Sequence, residues 1–426
     1  MKKLVSLVLI LCVSLTVCGC AAQKPYDSGD IKRMNESSAV NFSAEGINDA
    51  DCLSAYGKFA FDFFGTVSQA DPDKNVCLSP FSAYMAFSLC FAGSDGDTAK
   101  EFENVFGLTK EQAAVFCRAL YANFLQKEYN DKCTKVNLAN SVWIDNAYAQ
   151  YVKESYLKTA TDYFDAPVFR CNFSDKATVN AVNAWCKDNT DGLIDKIIEE
   201  FGKDQFMALI NALLIETSWA EQYADSDVVK DDFTDKNGAK KKSEFLCRRI
   251  SEYYLASDAK AFKMPLTDGF SFVGILPDES VAIDAYCNGL TSEKINALLS
   301  DPRYDHYVNT RIPKFNIDYG TDLIGIMRAM GINAAFDAYL ADFKPMAEIP
   351  DANVIIGTAL QKTHFELDEN GVKAAAITYI GMDKATAVMP EEKPLMDIFL
   401  DRPFVYILMD EITDLPMFVG TVKAVS

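Results

Sequence analysis

One segment near the C-terminus limits the folds open to this chain more than any other. It begins Glu369-Asn370-Gly371-Val372-Lys373-Ala374-Ala375-Ala376-Ile377-Thr378 and continues to about Lys393 with neither a polar turn nor a helical stripe. Before it, the apolar run Val354-Ile355-Ile356-Gly357-Thr358-Ala359-Leu360, with Phe365 and Leu367 alternating toward its end, predicts a long strand. After it, Phe404-Val405-Tyr406-Ile407-Leu408-Met409 and Met417-Phe418-Val419 with Val422 predict two more. A connection this long inside a compact domain is usually functional or disordered. Yet Val372, Ala374, Ala376, Thr378 and Ile380 form an alternate set of small or β-branched, uncharged residues. Successive side chains in a strand face opposite sides, so this set suits the buried face of a sheet. A loop that is also a competent strand points to a chain that can add that loop to a sheet. Taken alone, the alanine triplet fits a helix or a core strand equally well.

Further motifs settle its context. Asn75-Val76-Cys77-Leu78-Ser79-Pro80-Phe81-Ser82 places Pro80 where a first helical turn tolerates it, because the amide it lacks would be unpaired there. Apolar residues continue through Tyr84, Phe87, Leu89 and Phe91 before Ala92-Gly93-Ser94, Gly96 and Thr98 punctuate. Val179, Val182, Trp185 and Cys186 share one face of a helix at three- and four-residue spacing. Leu209-Ile210-Asn211-Ala212-Leu213 is followed by Trp219, then Phe262-Lys263-Met264-Pro265-Leu266, Gly274-Ile275-Leu276-Pro277 and Ile312-Pro313-Lys314-Phe315. Met330-Gly331-Ile332, Ala335-Phe336, Arg402-Pro403-Phe404 and Phe418-Val419-Gly420 close the series.

In this order and spacing, from about Asp51 to Ser426, the motifs resemble the serpin family. The resemblance implies an α+β serpin fold: three β-sheets with a large central mixed sheet, surrounding helices and an exposed reactive loop. The loop hinge is similar to the family pattern at Glu369, Gly371, Ala374, Ala375, Ala376 and Thr378. Val372 stands where threonine or serine is usual, and Ile377 where a small residue is usual. Ser79, Ser82 and Asn211 resemble the shutter, a polar cluster beneath the central sheet. Buried polar groups must be hydrogen-bonded, and a cluster between two strands can exchange partners as the strands part. Plain capping by the serines and an ordinary buried asparagine would fit the same residues. A histidine is frequent in the family where Gln361 stands, and His364 lies three residues later. Trp219 resembles the breach tryptophan, a role compatible with filling core volume.

The resemblance implies a suicide-substrate inhibitor of serine proteases, not an enzyme. The loop is attacked, an acyl-enzyme forms, and the cut loop enters the central sheet. Family spacing from Gly371 puts the scissile bond at Ala385-Thr386, which suits an elastase- or subtilisin-like pocket. Lys384, for a trypsin-like enzyme, and Met389 are alternatives. Other readings are inhibition of cysteine proteases, or a non-inhibitory serpin serving as a cell-surface binding protein. Charged or bulky inward hinge residues would stall insertion, and Val372, Ala374, Ala376 and Thr378 are neither. No cofactor or metal is implied, and a monomer is expected.

Hydrolase chemistry finds little support elsewhere. Only His306 and His364 are present, neither in a catalytic motif, and there is no G-x-S-x-G, HExxH, Walker or dinucleotide pattern. The net charge of −20 argues against nucleic acid as a partner. Lys240-Lys241-Lys242, after Asn237-Gly238, predicts a solvated hairpin turn. Nine of the 12 cysteines lie beyond the N-terminal segment, scattered, odd in number and without a CxxC pair. They are expected to be buried thiols acting as small hydrophobes rather than disulfides.

Met1-Lys2-Lys3, an apolar run from Leu4 to Val17, then Cys18-Gly19-Cys20 predict a secretory signal too short to span a membrane. Val17-Cys18-Gly19-Cys20 resembles a bacterial lipobox, with Cys20 as the lipidated residue; a plain signal peptide cleaved elsewhere is the alternative. Residues 1–19 are thus expected to be a lipoprotein signal, 20–50 a flexible tether and 51–426 the serpin domain, held at a bacterial cell surface.

Overall fold

The computed structural model describes residues 26, 29–36, 43–130, 132–202, 205–372 and 393–425. Its first strand is β1 (Lys32–Arg33), followed by helix α1 (Ala50–Ala70), β2 (Val76–Leu78), α2 (Pro80–Ala92), α3 (Gly96–Phe106) and α4 (Lys110–Gln126). Then come β3 (Thr134–Asp145), α5 (Glu154–Phe164), β4 (Val168–Cys171), α6 (Lys176–Asn189) and β5 (Met207–Ser218). The middle of the chain supplies β6 (Val228–Thr234), β7 (Lys240–Ile250), β8 (Tyr254–Leu255), β9 (Ala259–Pro265), β10 (Phe270–Pro277), α7 (Ile283–Asn288) and α8 (Ser292–Leu299). The C-terminal third adds β11 (Tyr307–Pro313), β12 (Phe315–Asp322), α9 (Leu323–Met330), β13 (Leu360–Asp368), β14 (Gly371–Val372), β15 (Leu395–Phe399), β16 (Phe404–Asp410) and β17 (Leu415–Val422).

Among the described residues these strands form three sheets. The largest has the order β1-β4-β3-β5-β14-β13-β12, a second β2-β17-β16-β10-β9-β8, and a third β15-β11-β7-β6. The large sheet is mixed: β3 and β4 run parallel while its other pairs are antiparallel. The first two sheets close the main core face to face. Phe315 and Phe365 from the large sheet pack against Tyr406, and Phe365 also meets Phe418. Such aromatic pairs add to their area burial through edge and offset geometry.

Local sequence explains several elements. Ser79 caps α2, its hydroxyl accepting from the Ser82 amide, with Pro80 at the first helical position. Helix α2 is buried on nearly all sides, consistent with an apolar run that lacks a polar stripe. Helix α6 buries Val179, Val182, Trp185 and Cys186, the predicted stripe, against the outer face of the large sheet. Lys240, Lys241 and Lys242 are exposed and begin β7, across a turn in which Gly238 adopts positive φ. Seven of the nine cysteines are buried, all nine are unpaired, and burial pushes the Cys52 and Cys77 thiols up to about 11.

Two expectations need correction. The strand expected from Val354 starts only at Leu360. Upstream, the Ile356 amide bonds to the Ala335 carbonyl, outside any ladder, so the apolar residues there serve loop packing rather than a strand. The second concerns the tether. Its residues 29–36 dock on the body: β1 pairs antiparallel with β4, and Tyr26 and Ile31 are buried in the cluster that holds Trp143 and Phe169. Asn35 secures the end, donating to the Thr161 hydroxyl (2.6 Å) and the Ala166 carbonyl (2.9 Å) and accepting from the Val168 amide (2.8 Å). Average polarity hid this, because two apolar side chains and one satisfied amide suffice to fix a short edge strand.

Candidate functional site

The chain reverses direction directly after β13. The Asp368 carboxylate accepts from the Asn370 amide (2.8 Å), forming the turn that returns Gly371 and Val372 toward the sheet. These two residues, β14, sit between β13 and β5, antiparallel to both. Val372 pairs with Leu367 and Thr217, and Gly371 with Asp368 and Ser218. Gly371 has φ +145°, and a Cβ there would stand 2.2 Å from the Thr217 carbonyl oxygen, so only glycine fits. Val372 is 3 % exposed and joins the main core.

Neighbours hold this turn in place. The Trp219 indole donates to the Asp368 carbonyl (2.8 Å), and its backbone amide donates to the Asn370 carbonyl (3.0 Å). Its ring, 2 % exposed, packs edge-on against Tyr223 and Phe272. Glu369 pairs with Lys314 at 2.6 Å, and Lys314 pairs also with Glu244 at 3.0 Å. The hydrogen bond from Lys314 holds the Glu369 carboxyl below the usual range. Thr134, Thr217 and Thr267 gather their hydroxyls behind the turn, with separations of 2.7 to 3.4 Å.

Below Val372, β5 and β13 share no partner strand among the described residues. A narrow cleft lies between them, lined by Leu213, Ile215, Phe365 and Val372, with Leu193 and Ile194 from the segment after α6. His364 borders this cleft and holds Asp318 at 2.7 Å through Nδ1; His306 bonds with the Tyr253 hydroxyl at 3.0 Å. Among the described residues neither histidine stands beside a serine, threonine or cysteine side chain as a hydrogen-bond partner.

The polar cluster lies farther down the same gap. On one side the Ser82 hydroxyl donates to the Asn211 side chain on β5, which donates in turn to Asn140 on β3 (2.7 Å). On the other, the Gln361 amide on β13 donates to the Ser79 carbonyl (2.8 Å) and accepts from the Ser79 backbone amide (3.3 Å). The two strands are therefore joined through the N-terminus of α2 rather than to each other. Ser79 caps α2 through its hydroxyl and meets Gln361 through its backbone, while the Ser82 hydroxyl joins the Asn211 network. Gln361 fills the place expected of a histidine by donating and accepting. Asn140 was missed; a polar residue interrupting the alternate apolar set Val136, Leu138, Val142 and Ile144 of β3 is the signal that would have found it.

The structure thus gathers Glu369, Gly371, Val372 and Trp219 at one end of the cleft and Ser79, Ser82 and Asn211 farther along it. The expected hinge residues Ala374, Ala375, Ala376 and Thr378, the loop residues Lys384, Ala385, Thr386 and Met389, and Cys20 lie outside the described residues.

Comparison with known proteins agrees with this architecture. The chain is 25% identical, over 99% of both sequences, to an uncharacterized serpin-like protein of Methanosarcina acetivorans. It is 27% identical to Serpin-ZX of Arabidopsis thaliana, covering 84% of this chain and 93% of the plant protein. The crystal structure of a thermophilic serpin, tengpin, in its native state superposes with a TM-score of 0.80 at 28% identity, covering 92% of this chain and 96% of that one. The family model for serpins, serine protease inhibitors, matches residues 54–424, and over that span the chain belongs to the serpin family.

Proposed function

We propose that this serpin is inhibitory and acts as a suicide substrate of serine proteases. The observation that carries the reading is Gly371–Val372, already paired on both sides at the mouth of an apolar cleft. The residues that follow alternate as the cleft requires. Continuing the same antiparallel pairing brings Ala374 opposite Ile215 and Phe365, Ala376 opposite Leu213 and Thr363, and Thr378 opposite Asn211 and Gln361. The small residues then meet the apolar part of the gap, and the hydroxyl meets the polar cluster. Inhibition is a race: strain released on cleavage drives insertion, which distorts the acylated protease before water reaches the ester.

Lys373 adds a feature particular to this chain. In the same register it stands between Glu216 and Glu366 on the opposite face. Opposite charges across strands stabilise a pairing and like charges oppose it. Lys373→Glu is expected to lower the ratio of trapped to hydrolysed inhibitor about tenfold. Adding Glu216→Lys and Glu366→Lys should restore it. Titration of residual protease activity reads this ratio, and an unchanged ratio in Lys373→Glu would refute the register.

For specificity we propose Ala385-Thr386 as the scissile bond, with elastase- or subtilisin-like enzymes as targets, since a small side chain fills a shallow pocket. The C-terminal peptide released from protease-treated inhibitor should begin at Thr386. A peptide beginning at Ala385 would assign Lys384, and one beginning at Pro390 would assign Met389.

We further propose that Cys20 is lipidated and anchors the protein to a bacterial membrane, more than one acyl chain being needed for stable anchoring. Cys20→Ala is expected to abolish lipid labelling and to move the protein to the soluble fraction. Unchanged labelling and fractionation would remove the anchor from the account.

A further inference from the structure

Beyond the loop, the docked N-terminal arm carries a feature that inhibition does not explain. Antiparallel register sets Lys32 directly opposite Arg170, and both are exposed. Like charges directly opposite each other on neighbouring strands are destabilising. Among the described residues neither has an ion-pair partner. Arg33, also exposed, lies on the other face of the same strand and bonds the Asn35 side chain and the Glu36 carbonyl. Asp30 and Glu36 are the exposed acids of the arm. Two exposed cations, Lys32 and Arg170, thus face each other on one side of a two-strand edge of a chain whose net charge is −20. Such an arrangement is relieved by an anion shared between them.

The position of the arm indicates which anion. Tyr26 is already buried against the body, its hydroxyl bonded to Asp188 of α6 and its ring packed on Phe169. The six residues from Cys20 to Tyr26 span at most about 20 Å. A lipid at Cys20 would therefore hold this edge beside the bilayer. The arm also sits far from the loop: β4 pairs with β3 at Val142–Asp145, whereas the hinge residue Val372 faces Thr217, the partner of Thr134 at the other end of β3. Eight residues of strand separate Thr134 from Val142, about 27 Å.

We propose that Lys32 and Arg170 form a membrane-docking edge for anionic phospholipid headgroups, and that it holds the body with the reactive-loop pole turned away from the bilayer. The membrane location rests on the Cys20 reading, but the surface can be tested without it. The chain from Ala21, bearing an N-terminal hexahistidine, is bound to nickel-chelating lipid in vesicles of phosphatidylcholine alone or with phosphatidylglycerol. Hydrogen exchange is followed in residues 29–36 and 168–171. On the anionic vesicles these amides should exchange roughly fivefold or more slowly than on neutral ones. The difference should vanish in about 0.5 M NaCl and in Lys32→Glu/Arg170→Glu, whose thermal unfolding in solution should match wild type. Amides of β5 near Thr217 should not respond. Equal exchange on both vesicles, or slowing that survives the double substitution, would overturn the docking edge. Lipid labelling of Cys20 is scored separately: labelled Cys20 with no slowing removes the surface alone, and slowing with unlabelled Cys20 removes the anchor alone.

Discussion

Cleavage within the loop is expected to raise the midpoint of thermal unfolding by roughly 5–10 °C. Among the described residues, β5 and β13 flank a cleft below Val372 and, past the short β14 they share, are bonded through α2 rather than to a common strand. Insertion of residues 373–380 would give both strands a backbone partner. Each hydrogen bond gained contributes about 1 kcal/mol net, and burying the alternate set Ala374, Ala376, Thr378 and Ile380 adds the apolar contribution of its side chains. The sum, less the ordering of the segment, amounts to several kcal/mol. The check is calorimetry on protein nicked by a non-target protease and shown to be cut within residues 381–392. A cleaved form that unfolds at the same temperature as the intact one would mean that the loop does not enter the sheet.

Val372→Arg should convert the inhibitor into a substrate. Val372 is 3 % exposed among Thr217, Leu367 and the core beneath them, and the one carboxylate lining the cleft, Glu366, sits on the opposite face of β13 from its pairing partner Leu367. Burying an unpaired charge there costs several kcal/mol. The arginine would leave the mouth of the cleft, and insertion would have to carry it back in. A penalty of about 3 kcal/mol in the insertion step slows it roughly 100-fold, which hands the race to hydrolysis. The loop should then be cut at the same bond while the protease stays active. Val372→Thr, close in volume, should retain inhibition. The intact Val372→Arg protein should unfold within a few degrees of wild type, because it loses only the two-residue β14 pairing. Undiminished trapping by the arginine variant would refute a buried path for this side chain.

Much of this was legible in the sequence because it depends on local chemistry. Ser79-Pro80 marks a helix start through the rules of the first turn, and the α6 stripe follows from helical periodicity. The alternation of residues 372–380 carries the sheet-insertion idea before any coordinate is known. What was not legible depends on partners remote in sequence. Nothing in Gly371 itself tells that the Thr217 carbonyl would lie 2.2 Å from an added Cβ, or that Val372 is seated in the sheet of the uncut protein. Asn140 and Gln361 become one network only because β3, β5 and β13 all meet near the start of α2. Residues 354–359 have strand-like composition yet end in loop packing, since the Ile356 amide finds Ala335 rather than a ladder. The arm at 29–36 was read as tether because composition averages over the few residues, Tyr26, Ile31 and Asn35, that dock it.

The most direct test mixes the protein with an elastase- or subtilisin-like protease in equimolar amounts and runs the products on denaturing gels. A trapped acyl-enzyme survives boiling in detergent. The expected result is a band at the summed mass of protease and inhibitor less the C-terminal peptide, with protease activity lost in proportion, and absent when Val372→Arg replaces wild type. Cleaved inhibitor with fully active protease and no such band, across serine proteases of small-residue, basic and aromatic preference, would contradict inhibition by loop insertion.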